Sequence, residues 1–515
     1  MLVHIYGAKC IGIDAYKVTV EVDITSGIGI HLCGLADVAV KESLLRTVTA
    51  LQSLDYHIPG KKIVINLAPA DLQKSGSGYD LPIAVGIIAA SGQRNLPGIK
   101  STLIMGELGL DGSVRSIRGG LPFADFASKE GFKACILPYE SAMEACEMES
   151  IAVYGVKNLS EVIEILEGNG NTDRYLVNGL TDRYSSIAGF NNEQIDFADI
   201  IGQNAAKRAM EIATAGGHNV IMIGAPGSGK SSIAKAAAGI LPPLSKEEAF
   251  LCRKICSVAG KDLSSGFPDH ARPFRAPHHS ASLAAMIGGG GKDNIIPGEV
   301  TLAHNGVLFL DEFNLMPRSI IEALRAPLED RKVTISRLKY KIEYPASFML
   351  IAAANPCPCG YYGEKGRCTC TPSQRIQYFN RLSGPIMDRM DLQVWIHPVT
   401  PDQIRADRHA ETSAVIAGRV SAARERQRAR FVGCGITCNS EMGNKMIERL
   451  CPLSDECQNT LNQLIESTGM SMRAYYRIIK VARTIADLDG EEDIKERHLL
   501  EASGYRFLDR IKERT

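Results

Sequence analysis

Apolar positions along the chain fall into three regimes. Over residues 1–165 the short runs VTVEVDI at 18–24, KIVINLA at 62–68 and ACILP at 134–138 predict strands. The longer KESLLRTVTALQSL at 41–54 and LPIAVGIIAAS at 81–91 predict helices. Residues 168–194 lose the periodicity and are rich in Gly, Asn and Asp, which reads as a linker. From Asp196 the order becomes helix (IGQNAAKRAMEIATAGG), strand (NVIMIG), glycine-rich loop and helix (SSIAKAAAGIL), the opening of an α/β nucleotide-binding domain. Beyond about residue 400 the segments AARERQRARF, EMGNKMIERL, NTLNQLIESTG and RAYYRIIKVARTIADL all read as helices. A multidomain α/β chain is expected, with an N-terminal domain at 1–167, a linker at 168–195, a nucleotide-binding core at 196–398 and an all-α domain at 399–515.

Charge alters this picture in one respect. The 515 residues carry 58 Lys+Arg against 58 Asp+Glu, and a neutral total speaks against a polyanionic partner. Split, the chain is about −8 over residues 1–200 and about +8 over the rest, an asymmetry that favours one. The start MLVHIYGAKCIGIDAYKV has no basic n-region and no long apolar run, and no predominantly apolar window long enough to cross a bilayer follows. A cytoplasmic protein without a membrane partner is expected, its fourteen cysteines reduced and ten of them scattered as small hydrophobes.

The loop after NVIMIG carries the first chemistry. Gly224, Ala225, Pro226, Gly227, Ser228, Gly229, Lys230 and Ser231, followed by Ser232, match the phosphate-loop pattern between a strand and a helix. Its N–H groups are suited to wrap phosphates, Lys230 to reach the β- and γ-phosphates of ATP, and the Ser231 hydroxyl to ligate Mg2+. About 80 residues on, the apolar run GVLFL ends in Asp311 and Glu312. Asp311 is expected to hold the magnesium and Glu312 to polarise the attacking water. The next strand, FMLIAAA, ends in Asn355, placed to orient that water. Arg389, before LQVWIHP, and Arg473, opening a C-terminal helix, are either arginines that act on a phosphate or surface ion pairs.

Two further clusters stand out. Cys357, Cys359, Cys368 and Cys370 form C-x-C…C-x-C directly after Asn355, which suits a closed structural Zn2+ site; four reduced thiols are the alternative. The stretch from Arg331 to Tyr344 alternates as a hairpin, with Arg337, Lys339 and Lys341 as candidate DNA contacts or as a charged edge. Arg275, in FRAPHHSAS, belongs to a second candidate DNA-contacting loop, and His278 and His279 there are expected to hydrogen-bond locally. The basic run Arg419 to Arg430 reads as a solvated helix face.

Together, IIGQNAAKRAMEIATAGGHNVIMIGAPGSGKS, FRAPHHSAS, PGEVTLAHNGVLFLDEFN, AAANPCPCGYYG and RLSGPIMDRMDL resemble the magnesium-chelatase-like AAA+ ATPases of the ComM/YifB type, bacterial competence proteins. The resemblance spans essentially the whole chain. It implies a homo-hexameric ring that hydrolyses ATP to drive branch migration on single-stranded and branched DNA during natural transformation, alongside recombination proteins. It also implies Arg389 as a trans-acting arginine finger and Arg473 as the sensor-2 arginine. The N-terminal 165 residues resemble the Lon proteolytic domain, a ribosomal S5-type α+β fold, but Asp80 stands where Lon has its serine and Pro122 where it has its lysine. With no base to activate a nucleophile, that domain is expected to be proteolytically dead. The other functions considered are a metal-insertion ATPase of the magnesium chelatase type and a protein remodeller.

Overall fold

A computed structural model describes the chain except for residues 1, 36, 169, 180–194, 262–270, 291–294, 337–340, 365, 382–383, 400–409 and 507–515. Two main sheets organise it. The N-terminal strands β1 (Val3–Ile11), β2 (Asp14–Thr25), β3 (Ile30–Cys33), β4 (Lys62–Ala68), β5 (Thr102–Ile104), β6 (Ala134–Pro138) and β7 (Ala152–Val156) form a mixed sheet in the order β3-β4-β2-β1-β5-β6-β7. Helices α1 (Val38–Ser53), α2 (Asp80–Ala90), α3 (Gly120–Lys129) and α4 (Leu159–Glu167) complete this module. Every residue of α2 is buried, as its almost uninterrupted apolar sequence requires. One core, from Ile5 to Val177, holds the module together.

The second sheet is wholly parallel. Strands β8 (Val220–Gly224), β9 (Phe274–Arg275), β10 (Val307–Leu310), β13 (Met349–Ala354) and β14 (Leu392–Ile396) lie in the order β9-β10-β13-β8-β14. Strands β11 (Lys332–Ser336) and β12 (Lys341–Pro345) pair antiparallel beside it. All of β8 and β10 is buried, the burial of a parallel strand covered on both faces. Because β8 is flanked by two strands reached through opposite crossovers, its C-terminal end opens on a crevice, where such sheets bind ligands. Helices α5 (Asn204–Gly216), α6 (Lys230–Gly239) and α7 (Lys246–Ala259) belong to this core.

The C-terminal region is helical: α8 (Ser413–Arg430), α9 (Asp455–Thr468), α10 (Met472–Leu488) and α11 (Glu496–Gly504). Its apolar residues share one core with α5 and the strands. The basic run is not a solvated face. Arg419 pairs with Glu211 of α5, Arg424 donates to the Thr214 carbonyl at 2.9 Å, and Arg430 pairs with Asp487 of α10. The arginines clamp the helices to the core because acids and helix-end carbonyls wait there, more than 50 residues away in sequence. A second clamp is Asp391, buried before β14, which takes Arg477 of α10, the Asn219 N–H at 3.1 Å and His218 at 3.4 Å. Despite burial, Arg477 and His218 hold its carboxyl well below the usual range.

The beginning of the expected linker is docked. The Asn178 side chain accepts from Val153 N–H at 2.7 Å and donates to the Ile151 carbonyl at 2.9 Å, and Val177 is buried. The rest of it, 180–194, lies outside the described residues. The N-terminal module is tied to α7, where buried Lys254 meets Asp14 at 2.8 Å and Asp125 at 2.9 Å. Among the described residues no helix is long and apolar enough to cross a membrane.

Candidate nucleotide site

The glycine-rich turn between β8 and α6 places its backbone by conformation. Gly227 and Gly229 take φ of 75° and 87°, values open to glycine at little cost, and Lys230 then starts the helix. A side chain on Gly224 would run into the Ile396 carbonyl, so that position needs glycine for close strand packing. The Lys230 ammonium donates to the carbonyls of Gly224 at 2.8 Å and Ala225 at 2.9 Å and reaches Asn355 Oδ1 at 3.4 Å. Burial lowers its pKa, offset by the charges of Asp311 and Glu312. Ser231 donates to Asp311 Oδ2 at 2.9 Å, joining the two magnesium-ligand candidates. Ser228 Oγ is buried without a hydrogen-bond partner among the described residues, and a Cβ built on Gly227 or Gly229 meets open space. A hydroxyl awaiting a partner, a lysine, and a Ser–Asp pair fit a nucleotide triphosphate with magnesium.

Two residues at this site escaped sequence reasoning. His279 Nδ1 lies 2.9 Å from Glu312 Oε2, so the candidate base is held by an imidazole from another loop. Glu312 has φ 48°, a left-handed conformation that an L side chain adopts at a cost. Asn314 donates to the Asn355 carbonyl at 3.3 Å and steadies the strand end that carries this candidate amide. The histidines signalled hydrogen bonding in the sequence, but not to whom. His278 does bond locally, to Ser280 at 2.7 Å.

Arg389 and Arg473 do not join this site. Asn219 Nδ2 donates to the Arg389 carbonyl, which puts Arg389 at the starting end of the strands. Five residues of β-strand, roughly 16 Å, separate that end from Gly224. Arg389 is buried, ion-paired with Glu329 and donating to the Pro385 carbonyl at 2.5 Å. Arg473 is exposed, 3.9 Å from Asp388, with its charge also felt by Glu329. Arg275 is no free loop cation: it sits in β9 with a bidentate pair to Glu299 at 2.6 and 2.8 Å. The hairpin is present as β11 and β12, with Val333, Ile335, Ile342 and Tyr344 buried and Lys341 exposed. Glu343 lies 3.4 Å from both Lys341 and Lys332, while Arg337 and Lys339 lie outside the described residues.

The four cysteines converge. All four sulfurs lie within 4.8 Å of one another, with Cys357–Cys359 at 3.3 Å, Cys357–Cys368 at 3.8 Å and Cys359–Cys368 at 3.7 Å. Tetrahedral zinc with Zn–S near 2.3 Å sets sulfurs about 3.8 Å apart, so the cluster fits that ion. The N–H of Tyr361 helps pull Cys359 down to about 6, toward the thiolate a metal needs, while burial pushes Cys357 up to about 12. The loop leans on the nucleotide site, since a Cβ on Gly360 would meet the Pro226 ring at 2.8 Å.

In the N-terminal module Asp80 is fully buried against Arg46, at 2.9 Å, and accepts from the Leu108 N–H. Pro122 lies in the first turn of α3. Lys74 spends its ammonium on the Pro69 carbonyl, and Ser77 donates to Glu107. A cavity of about 550 Å3 borders Ser75 to Tyr79 and continues to Ile295 and Ile342 of the core.

A glycine-rich turn, two strand-end carboxylates and a strand-end asparagine around one crevice are the arrangement of a phosphate-loop protein. Residues 196–404 match the family described as "Magnesium chelatase, subunit ChlI", residues 410–506 its C-terminal part, and residues 20–141 "Subunit ChlI of Mg-chelatase". The chain is 41% identical to "Uncharacterized protein YifB" of Salmonella typhimurium over 99% of its length and 98% of that protein. It is 40% identical to "Competence protein ComM" of Haemophilus influenzae over 100% and 99% of the two chains. To the "Magnesium-chelatase 38 kDa subunit" of Acidiphilium rubrum it is 29% identical over 31% of this chain and 52% of that one. The chain belongs to the magnesium-chelatase-like ComM/YifB family.

Proposed function

We propose that this protein is an ATPase of the AAA+ class, working as a homo-hexameric DNA motor on single-stranded and branched DNA during natural transformation. The observation that carries the ATPase reading is the convergence of Lys230, Ser231, Asp311, Glu312 and Asn355 on one crevice. Lys230, Ser231 and Asp311 hold the nucleotide and its magnesium, which when bound neutralises phosphate charge. Glu312, freed from His279, takes the proton of the attacking water that Asn355 orients. Arg389, at the far end of the strands from its own phosphate loop, is read as a finger that acts on a neighbouring subunit's site, which argues for a ring, and Arg473 as the sensor-2 arginine.

The competence role rests on the relative named for it. DNA contact is assigned to Lys341 with Arg337 and Lys339 at the hairpin; Arg275, committed to Glu299, is withdrawn from that role. The N-terminal module is read as a Lon-like domain without its dyad, and the four cysteines as a structural zinc site. The cytoplasm and recombination-protein partners complete this reading. A metal-insertion ATPase is the second reading, favoured by the family descriptions. Full-length protein with ATP and fluorescently labelled forked or four-way DNA separates the two. Strand exchange with DNA-stimulated hydrolysis is expected, and hydrolysis indifferent to DNA with no strand movement would sink the motor reading.

A further inference from the structure

A second cavity, about 480 Å3, lies at the starting end of the parallel strands, in the seam between the core and α8. Gly306, which precedes β10, and Met349, which opens β13, are among its lining residues. Its charged lining is Arg272, Arg331, Arg424 and Arg428 against Glu248 and Glu441, an excess of two positive charges. The acids are already engaged. Glu248 takes Arg272 at 3.1 Å, and Glu441 takes Arg331 at 2.8 Å. Arg424 uses Nε and Nη2 on the Thr214 carbonyl, and Arg428 is exposed. Neither Arg424 nor Arg428 has a carboxylate partner among the described residues. Burial, with the nearby charge of Arg424, holds Arg272 below its ordinary range even beside Glu248. The half-buried ring of Phe348 lines the same cavity.

Guanidinium forks with donors to spare suit a phosphate ester, and an aromatic wall beside them suits a base. We propose that this seam is a second nucleotidyl-phosphate site, separate from the phosphate loop, taking either a nucleic-acid strand's phosphate or a free nucleotide's. The site goes beyond the proposed function, since it uses neither the ATP crevice nor the hairpin's candidate DNA contacts. A ligand here touches both the core and α8, and so bears on how the helical region sits on the motor.

The test uses full-length protein carrying Lys230→Ala, which removes the phosphate loop from the count. Inorganic pyrophosphate is titrated calorimetrically, and a fluorescein-labelled oligothymidylate by anisotropy at two salt concentrations. Both are repeated with Arg424→Gln/Arg428→Gln added, and with Arg428→Gln alone, an exposed position whose loss leaves folding intact. Pyrophosphate binding weakened about tenfold by the double variant, with oligonucleotide affinity unchanged, identifies a free phosphate or nucleotide. Weakened oligonucleotide binding, with its salt slope reduced by roughly one or two, identifies strand phosphates. The inference is overturned if neither probe binds, or if both bind the double variant and the Arg428→Gln protein as tightly as the Lys230→Ala parent. Loss of DNA-stimulated hydrolysis in the Lys230-intact chain tests the motor reading and leaves the pyrophosphate result standing.

Discussion

Replacing Glu312 by Gln tests the hydrolytic site most directly, because the structure says what the change leaves alone. Gln keeps the side chain's size, and the bonds of Lys230 to Gly224 and Asn355 and of Ser231 to Asp311 are made without it. ATP affinity is therefore expected to hold within a few-fold. Turnover is not. A general base contributes about 10²- to 10⁴-fold, which corresponds to roughly 3–5.5 kcal/mol of barrier. The His279 contact modifies this figure in a predictable direction. Both side chains are substantially exposed, 32% for His279 and 44% for Glu312, so the pair is a screened one worth about 0.5–1 kcal/mol. That hold must be released before the carboxylate can accept a proton, so His279→Ala is expected to raise turnover roughly two- to fivefold. In the Glu312→Gln background the same change should do nothing, because the group it restrains is gone. The assay is steady-state phosphate release alongside equilibrium binding of a fluorescent ATP analogue. Turnover by Glu312→Gln within threefold of the parent would refute the general-base assignment. A His279 effect that persists without Glu312 would refute the restraint.

Other consequences are open to equally direct measurement. Freshly purified protein should contain one zinc per chain by elemental analysis, and Cys359→Ser/Cys368→Ser should lose it; a metal-free parent overturns the four-cysteine site. Gly360→Ala should weaken ATP binding several-fold by pressing on Pro226, and unaltered binding would show the cysteine loop to be uncoupled from the phosphate loop. Asp391→Asn should cost about 1.5–3 kcal/mol in denaturant unfolding, since it takes the buried carboxylate away from half-buried Arg477. Because folding depresses the Asp391 carboxyl, its contribution is complete above the unfolded value near 4 and drains as pH falls below that. The gap between parent and variant must therefore narrow in acid; a gap independent of pH would show that the carboxylate charge is not what matters. Mixing Arg389→Ala with Lys230→Ala protein should restore partial hydrolysis if Arg389 serves a neighbour's site, and subunits that exchange without recovery would remove that role.

Local pattern carried far in the core of this chain. The apolar runs NVIMIG, GVLFL and FMLIAAA are strands, and the residues that end them, Gly224, Asp311 and Asn355, meet at one edge because parallel strands finish on the same side. Cysteine spacing likewise foretold the cluster, since both C-x-C pairs sit in one short loop. Reading the charged side chains one by one was less secure. The run from Arg419 to Arg430 looked solvated because its acids are on α5 and α10, and Arg275 looked available because Glu299 lies 24 residues on.

Sequence by itself thus determined the family and pointed to the candidate nucleotide site, because both depend on short motifs whose residues are neighbours along the chain or at matched strand ends. Tertiary structure decided which cations are spent and which are free. It also decided that His279 meets Glu312, that Glu329 holds Arg389, and that Arg424 and Arg428 face a cavity whose two acids are paired with other arginines. An ion pair depends on distance in space, and nothing in the spacing of residues along the chain records which carboxylate folding brings within reach.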